Sequence, residues 1–214
     1  MGLPVISFAA SAGDDKRLDW NEEDYNGLFV TKALKRKPFS GRCSVRISGQ
    51  PVGVRSGERE VALRWFANVA HRYLFDSKIQ TPVALIPIPN GGAIDIRASC
   101  DTSAQAAELA NSLAKDAYVL DVLRWQSPIP QGDHPAKHYF EQAIVHDNPL
   151  TASPRKTTVL VDEVFTDGSV IRGVAARLAE KGIKVDLVLC AAHDAATRAR
   201  EVFTAHKHSV DDGL

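Results

Sequence analysis

The chain lacks an excess of charge of either sign, a cysteine framework and any long apolar run. Lysine plus arginine and aspartate plus glutamate both total 26, so the formal net charge is zero. No global field therefore draws the chain to nucleic acid or to a membrane. The three cysteines, Cys43, Cys100 and Cys190, match neither a disulfide framework nor zinc-ligand spacing. With no signal peptide and no apolar run of about 18 residues, we expect a reduced, cytoplasmic protein.

The chain also lacks the phosphate-binding loop of the P-loop ATPases, since Gly-x-x-x-x-Gly-Lys-Ser/Thr occurs nowhere in its 214 residues. That absence matters because an apolar strand running into Asp162 and Glu163 would otherwise fit the second carboxylate motif of those enzymes. No composition break or low-complexity linker divides the chain, and its length suits one substantial core. We therefore predict a single domain that spans residues 1–214.

The most informative segment joins an apolar run to an acidic pair and a small polar loop. Val159–Val161 precede Asp162 and Glu163, the loop 166–169 reads Thr-Asp-Gly-Ser, and apolar residues recur at helical spacing over 170–181. This pattern predicts a buried parallel strand that ends at the two carboxylates, followed by a turn and a helix. Ligands of open α/β sheets bind at such strand ends. Because N–H groups at a helix N-terminus favour phosphate and carboxylates accept hydrogen bonds from vicinal hydroxyls, we predict a sugar-phosphate site.

The same segment resembles the signature of the type I phosphoribosyltransferase family, in which an apolar strand, two acidic residues and two variable positions lead into a Thr- and Gly-rich loop. The resemblance implies that Asp162 and Glu163 contact the ribose 2′ and 3′ hydroxyls of phosphoribosyl pyrophosphate, beside its Mg²⁺ ion. It also implies a cradle for the 5′-phosphate that consists of Thr166, Gly168 and Ser169. An acidic turn without any ligand is the simpler alternative, and it stays open at this point.

Two positions depart from the pattern of the family. Asp167 stands where a hydroxyl residue is usual, and Val170 stands where Thr or Ser is usual. A carboxylate repels a neighbouring phosphate and a valine side chain donates no hydrogen bond, so both residues should weaken phosphate binding. An alternative role for Asp167 is that of a catalytic base toward the acceptor nitrogen.

A second segment, residues 82–92, predicts an apolar strand closed by a Pro- and Gly-rich loop, with a helix over 102–115. The Pro-Ile-Pro strand end and the alanine-rich helix resemble the family branch that contains competence protein F and the amidophosphoribosyltransferases. Family members bind pyrophosphate on this loop, often with a strained or cis peptide, which implies that role for Asn90 and Gly91. That branch usually carries several basic residues here, whereas this chain offers Arg97. An ordinary surface loop is the alternative.

The stretch 124–150 follows a third predicted strand, 117–123, and is rich in proline. Long irregular segments inside compact domains are usually lids or disordered. By resemblance to the family, this segment is expected to close over the pyrophosphate and exclude water. Arg124 and Lys137 are the groups that we expect to meet the pyrophosphate after closure.

Residues 1–80 are predicted to form an accessory element or hood beside the core, 81–214. Two short strands on either side of Ser48–Pro51 indicate a hairpin, and apolar residues at helical spacing predict an amphipathic helix over 58–74. The basic cluster at 32–42 is interpreted as solvated surface. The aromatic residues that we interpret as core, or alternatively as a stacking surface for an acceptor base, are Trp20, Tyr25, Phe29 and Phe39.

Together these patterns predict an α/β fold of the type I phosphoribosyltransferase kind, with a mostly parallel sheet flanked by helices. The function that the resemblance implies is transfer of a phosphoribosyl group to a nitrogen acceptor with release of pyrophosphate and with Mg²⁺ as cofactor. A second hypothesis is a regulatory protein of the same fold that binds a nucleotide or sugar phosphate without transfer. We expect a small-molecule partner, no nucleic acid and no membrane, and a homodimer is kept open as the assembly state.

Overall fold

A computed structural model describes residues 2–11, 22–95, 100–130, 132–146, 157–195 and 201–211. The strands are β1 (Leu3–Ser7), β2 (Ala10–Ser11), β3 (Arg42–Ile47), β4 (Gln50–Arg55), β5 (Val83–Pro87), β6 (Ala117–Val119), β7 (Leu123–Trp125), β8 (Ala143–Val145), β9 (Thr157–Phe165), β10 (Leu187–Asp194) and β11 (His206–Val210). The helices are α1 (Glu22–Leu34), α2 (Arg59–Asp76), α3 (Asp101–Leu113), α4 (Ala136–Gln142) and α5 (Ser169–Glu180), and a short 3-10 helix follows α3. Within the described ranges, no helix combines the length and the apolar character that crossing a bilayer requires.

The centre of the fold is a seven-stranded sheet with the order β11-β1-β10-β9-β5-β6, and β2 pairs with the end of β10. All its pairings are parallel except that of β11 with β1. Because both faces of the inner strands are covered, β5 is buried along its whole length and reads as a continuous apolar run. The predicted fold class, a mostly parallel sheet flanked by helices, is therefore confirmed.

Helices cover both faces of the sheet, and the alternation of side chains along β9 shows how the two layers divide. Val159 and Val161 point to the face covered by α1, α2 and α3, whereas Leu160 points to the face covered by α4 and α5. On α5, the buried residues Ile171, Val174 and Leu178 recur at helical spacing, so that helix forms as the sequence predicts.

Strand β9 extends further than the sequence predicts. It passes through Asp162 and Glu163 and ends at Phe165, and the turn to α5 follows at 166–168. The prediction that the strand ends at the carboxylates is wrong because β10 is also long, and it pairs Ala192 with Val164 and continues to the end of β9. The acidic pair therefore lies inside a paired strand, and its two side chains project from opposite faces.

The stretch 124–150, expected as an irregular lid, contains regular structure: β7 and β8 pair antiparallel, and α4 between them packs on α5. Gly173 permits this contact, since a Cβ there would lie 2.5 Å from the backbone oxygen of Ala136. Burial of Trp125 and Tyr139 in the core explains why the segment folds. The predicted third strand is split accordingly into β6 and β7. Residues 131 and 147–150 of this stretch lie outside the described ranges.

The N-terminal region contributes to the main sheet as well as to one helical layer. Strand β1 lies between β10 and β11, so the division at residue 80 does not follow the sheet. The hairpin β3–β4 forms as predicted, and its two-residue loop Ser48–Gly49 has φ values of 50° and 81°, as a type I′ turn requires. Helix α2 also forms. Phe29 stacks on Phe39 with ring centroids 4.8 Å apart, whereas Trp20 lies outside the described residues.

Three histidines lie close together where β1, β10 and β11 adjoin, and two of them contact the buried hydroxyl of Ser7. Ser7 Oγ lies 2.9 Å from His193 Nδ1 and 3.1 Å from His208 Nε2, and the rings of His193 and His206 are 4.5 Å apart. Burial, followed by the neighbouring imidazoles His206 and His208, lowers the pKa of His193 from 6.5 to about 4. This cluster is therefore neutral in the folded protein at neutral pH.

Candidate functional site

A cavity of about 490 Å³ opens at the carboxyl ends of the parallel strands. Its walls come from the end of β9, the loop after β5, the last turn of α1 and the segment that carries Trp125 and Tyr139. Ligands of α/β sheets bind at this edge, and the volume lies in the range of small-molecule sites. The residues of the cavity wall that carry charge are Lys32, Lys35, Lys37, Asp162, Glu163 and Asp194.

The acidic pair lines this cavity from both faces of β9. Asp162 Oδ1 accepts a hydrogen bond of 2.7 Å from the N–H of Glu163, whereas Glu163 Oε1 is buried and has no hydrogen-bond partner in the part of the chain that the structure describes. Burial raises the pKa of Asp162 from 3.8 to about 6, and the hydrogen bond and Lys35 offset only part of that rise. Burial likewise raises the pKa of Glu163 from 4.5 to about 7, again against the ammonium of Lys35. Both carboxylates are therefore poorly compensated as anions.

Three lysines form the opposite wall, which we call the lysine wall: Lys32, Lys35 and Lys37. The prediction of solvated surface for this cluster missed the lysines as site residues. Lys32 lies in the last turn of α1, and Lys35 follows directly after the helix, three positions further along the chain and on the same side. Their spacing of three positions, next to Thr31 and Leu34, which are buried, is a sequence signal that could have assigned the two lysines to the side of the helix that faces the sheet.

In the loop that we expect to cradle a 5′-phosphate, the side chain of Asp167 takes the place of the anion. Asp167 Oδ1 accepts the N–H of Ser169 at 2.9 Å, and Oδ2 accepts its hydroxyl at 2.6 Å. Arg172 also donates to Ser169 Oγ, at 3.0 Å. Partial burial acts to raise the pKa of Asp167, but the hydrogen bonds from Ser169 and the charge of Arg172 outweigh it, and the pKa is lowered. Asp167 is thus an ionised acceptor for the N-terminus of α5.

Gly168 and Ser169 are buried and do not line the cavity, which takes only Thr166 and Val170 from this turn. Gly168 has φ of 80°, and a Cβ on it would lie 2.8 Å from Cγ2 of Val210. Val210, the last residue of β11, therefore covers Gly168 at the N-terminus of α5.

The loop after β5 is fixed by the segment that follows β6. Trp125 Nε1 donates to the backbone oxygens of Pro89 and Asn90, both at 3.0 Å, and the N–H of Ile129 donates to Gly91 O at 2.8 Å. Gly91 lines the cavity, and the exposed Asn90 does not. Among the described residues 90–95 there is no cis peptide and no positive φ; the cis bond precedes Pro82. Arg97 lies outside the described residues.

The two cations expected from the lid do not line the cavity. Arg124 is 2% exposed, its NH1 nitrogen lies 2.5 Å from Oδ1 of Asp121, and its Nε donates to Asp95 O at 2.8 Å. Lys137 is exposed on α4, with its Nζ 3.8 Å from Glu141. The structure thus brings together Asp162, Glu163, Thr166 and Gly91, and it places the remaining predicted site residues elsewhere: Asn90, Arg124, Lys137, Asp167, Gly168 and Ser169.

A divalent cation would find a limited set of ligands in this cavity. Of the described residues, no three His, Cys, Asp or Glu side chains are arranged to hold a metal ion. Mg²⁺, however, is usually held by one or two carboxylates together with substrate phosphates. Glu163, with its unpartnered Oε1, and Asp162 supply that donor type, so the residues fit an ion that arrives with a phosphorylated ligand.

Comparisons with known proteins give a likeness of fold only. No protein-family model matches the sequence, and no curated protein matches it. A crystal structure of a hypoxanthine phosphoribosyltransferase from Staphylococcus aureus, in a tetragonal form, has a TM-score of 0.40 and 10% sequence identity, covering 65% of this chain and 70% of that chain. The orthorhombic form gives a TM-score of 0.38 with the same identity and coverage.

Proposed function

We propose that this protein binds phosphoribosyl pyrophosphate in the cavity and transfers the phosphoribosyl group to a nitrogen acceptor, with release of pyrophosphate. The observation that carries the proposal is the placement of the acidic pair of β9 and the lysine wall of α1 around one cavity. A ligand with a neutral diol and anionic phosphates is complementary to both walls. The resemblance of the sequence around Asp162 and Glu163 to the phosphoribosyltransferase signature supports the same ligand.

The carboxylates position the ribose in this proposal. Glu163 Oε1 has no hydrogen-bond partner among the described residues, so a ribose hydroxyl that donates to it supplies a hydrogen bond to this buried oxygen. The second oxygen of Asp162 accepts from the neighbouring hydroxyl, because its Oδ1 is already engaged by the N–H of Glu163. Hydrogen bonds to the ionised forms lower both pKa values, so bound ligand favours the charged pair.

The reaction forms a bond from the acceptor nitrogen to the anomeric carbon while the bond from that carbon to the pyrophosphate oxygen breaks. The electron pair of the broken bond leaves with pyrophosphate, which also takes the proton released by the nitrogen. Lys32 and Lys35 stabilise the negative charge that develops on the leaving group. Mg²⁺, held beside Asp162 and Glu163, would supply further neutralisation of the pyrophosphate.

The test is calorimetric titration of phosphoribosyl pyrophosphate with Mg²⁺ into the wild-type protein, Asp162→Asn, Glu163→Gln and the control Glu60→Gln. Glu60 is an exposed carboxylate on α2, outside the cavity wall. Loss of one charged hydrogen bond should weaken binding by about tenfold or more, and the control should bind like the wild type. Wild-type affinity and turnover in both cavity variants would refute the assignment of the acidic pair.

A second candidate function is binding of the same ligand class without transfer. One observation favours it: the N-terminus of α5 is occupied by Asp167 and covered by Val210. A single-turnover assay with purine bases, pyrimidine bases and ammonia separates the candidates. Pyrophosphate release with any acceptor supports transfer, whereas tight binding with no release supports a binding or regulatory protein.

A further inference from the structure

We propose that the phosphate or pyrophosphate group of the ligand binds to Lys32, Lys35 and Lys37 of the lysine wall, and not to the N-terminus of α5. This inference rests on the proposed function, since it names the anion subsite of the same cavity. The shared chemistry is a phosphate anion, which a sugar 5′-phosphate or a pyrophosphate group would present.

The N–H group of Ser169 at the N-terminus of α5 already has a hydrogen-bond acceptor within the protein. An anion binds at a helix N-terminus through free N–H groups, but the N–H and hydroxyl of Ser169 both donate to the carboxylate of Asp167. Gly168 and Ser169 are buried, and Val210 packs against Gly168. A phosphate at this position would have to displace an ionised carboxylate and would meet its repulsion.

The lysine wall is held in place by the way α1 ends. The N–H of Lys37 donates to Lys32 O at 2.8 Å, and the N–H of Arg36 donates to Ala33 O at 3.1 Å. With φ of 53° at Arg36, these two bonds form a Schellman motif. The chain therefore turns back after the helix, and Lys37 is brought next to the turn that carries Lys32.

The part of α1 just before Lys32 is anchored to the sheet. A Cβ on Gly27 would lie only 2.0 Å from Ala10 O, so α1 is in direct backbone contact with β2. The hydroxyl of Thr31 donates to Gly27 O at 2.8 Å. Rigid placement of this kind lowers the entropic cost of holding an anion.

The C-terminus of α1 is the negative pole of the helix dipole, which would oppose an anion bound nearby. The carbonyls of Lys32 and Ala33 accept the two bonds of the Schellman motif, and Leu34 O accepts Nε of Arg59 at 3.0 Å. The last carbonyls of α1 are thus occupied by donors, one of them a guanidinium. Arg36 itself points to Asp101, at 3.3 Å, and is not part of the wall.

The gap between the lysine wall and the acidic pair also favours a ligand with an anionic group. Lys35 acts electrostatically on both Asp162 and Glu163. Across the described part of the chain, no carboxylate oxygen is recorded within 4.0 Å of its ammonium nitrogen. Opposite charges that face each other across a cavity without closing into an ion pair leave room for a ligand between them. The anionic part of that ligand is attracted to the lysine side.

The experiment titrates inorganic pyrophosphate and ribose 5-phosphate separately into the wild type and the double variant Lys32→Gln/Lys35→Gln. The matched control is Lys115→Gln, an exposed lysine in the 3-10 helix after α3 and outside the cavity wall. Charged hydrogen bonds to phosphate predict binding about tenfold to a hundredfold weaker in the double variant. Lys35→Arg keeps the charge and should retain most of the affinity. The probe that loses more affinity identifies which phosphate group the wall holds.

Loss of pyrophosphate or ribose 5-phosphate binding in the double variant, with the control unchanged, supports the lysine wall even if no transfer activity is ever detected. Undiminished anion binding in the double variant overturns the inference and leaves the proposed function intact. An affinity that rises in Asp167→Asn also overturns it, because that rise places the anion at the N-terminus of α5. Failure of pyrophosphate, ribose 5-phosphate and phosphoribosyl pyrophosphate all to bind the wild type refutes both proposals.

Discussion

Replacing Glu163 by glutamine should stabilise the protein at alkaline pH and leave its stability unchanged in acid. Burial raises the pKa of this carboxyl group from 4.5 to about 7, and each tenfold change in proton affinity corresponds to about 1.4 kcal/mol. The ionised side chain therefore lowers the free energy of unfolding by about 3 kcal/mol. Glutamine has nearly the same shape and no charge, so Glu163→Gln removes this cost.

The sign of the pH dependence follows from proton binding. Between pH 4.5 and about 7 the folded state holds a proton that the unfolded state has released, so stability falls as pH rises through this range. Below the range, Glu163 is protonated in both states, and the variant and the wild type should unfold alike. Above it, the variant should be more stable by the full amount.

The assay is urea unfolding of both proteins at a series of pH values, with the midpoint and slope fitted at each pH. Asp167→Asn serves as the control of opposite sign. Because the pKa of Asp167 is lowered, its ionised form stabilises the fold, and its replacement should cost stability at neutral pH but not in strong acid. Equal stability of Glu163→Gln and wild type at every pH would show that the carboxylate is compensated within the protein and would refute the reasoning.

Three further predictions concern other parts of the fold. Gly173→Ala should destabilise the protein by about 2 kcal/mol or more in thermal unfolding, because its Cβ would meet the backbone of α4, whereas Gly53→Ala has open space and should not. His193→Gln should reduce the loss of stability in acid, measured by urea unfolding, because the wild type loses stability as pH falls from 6.5 to about 4. Arg124→Gln should lower the free energy of unfolding by about 3 kcal/mol without weakening pyrophosphate binding, because Arg124 pairs with Asp121 inside the fold. Pyrophosphate binding that is lost in a folded Arg124→Gln protein would restore its role as an active-site cation.

Local patterns were enough to predict the elements with strong periodicity. The apolar run of β5, the helical stripe of α5 and the hairpin β3–β4 all form where the sequence indicates them. Each depends on residues that are close in the chain, where burial and turn geometry are visible in the sequence. The same reasoning singled out Asp162 and Glu163, because the apolar run before them is local as well, although the strand continues past them to Phe165.

The remaining features depend on pairings between distant residues. The length of β9 is decided by β10, and the position of β1 between β10 and β11 joins the two ends of the chain. The segment from β7 to β8 gave no periodic signal, because it is rich in proline and its few apolar residues are buried against parts of the chain that are distant in sequence. The Schellman motif that positions the lysine wall has Arg36 at the left-handed position. A glycine there would have indicated the motif in the sequence, because glycine is the usual residue at that position.

The cost of the acidic pair and the position of the lysine wall have one physical explanation. A cavity that served only stability would gain by closing Lys35 onto Glu163, because an unpaired buried charge is expensive. Instead no described residue donates a hydrogen bond to Oε1 of this carboxyl group, and its pKa is raised to about 7. A ligand that donates a hydroxyl hydrogen to Glu163 and presents a phosphate to the lysines would satisfy both sides at once. The free energy that the ionised Glu163 costs the unliganded protein is then regained when the ligand binds. Replacing Glu163 should therefore raise stability at high pH and lower the affinity for a sugar phosphate.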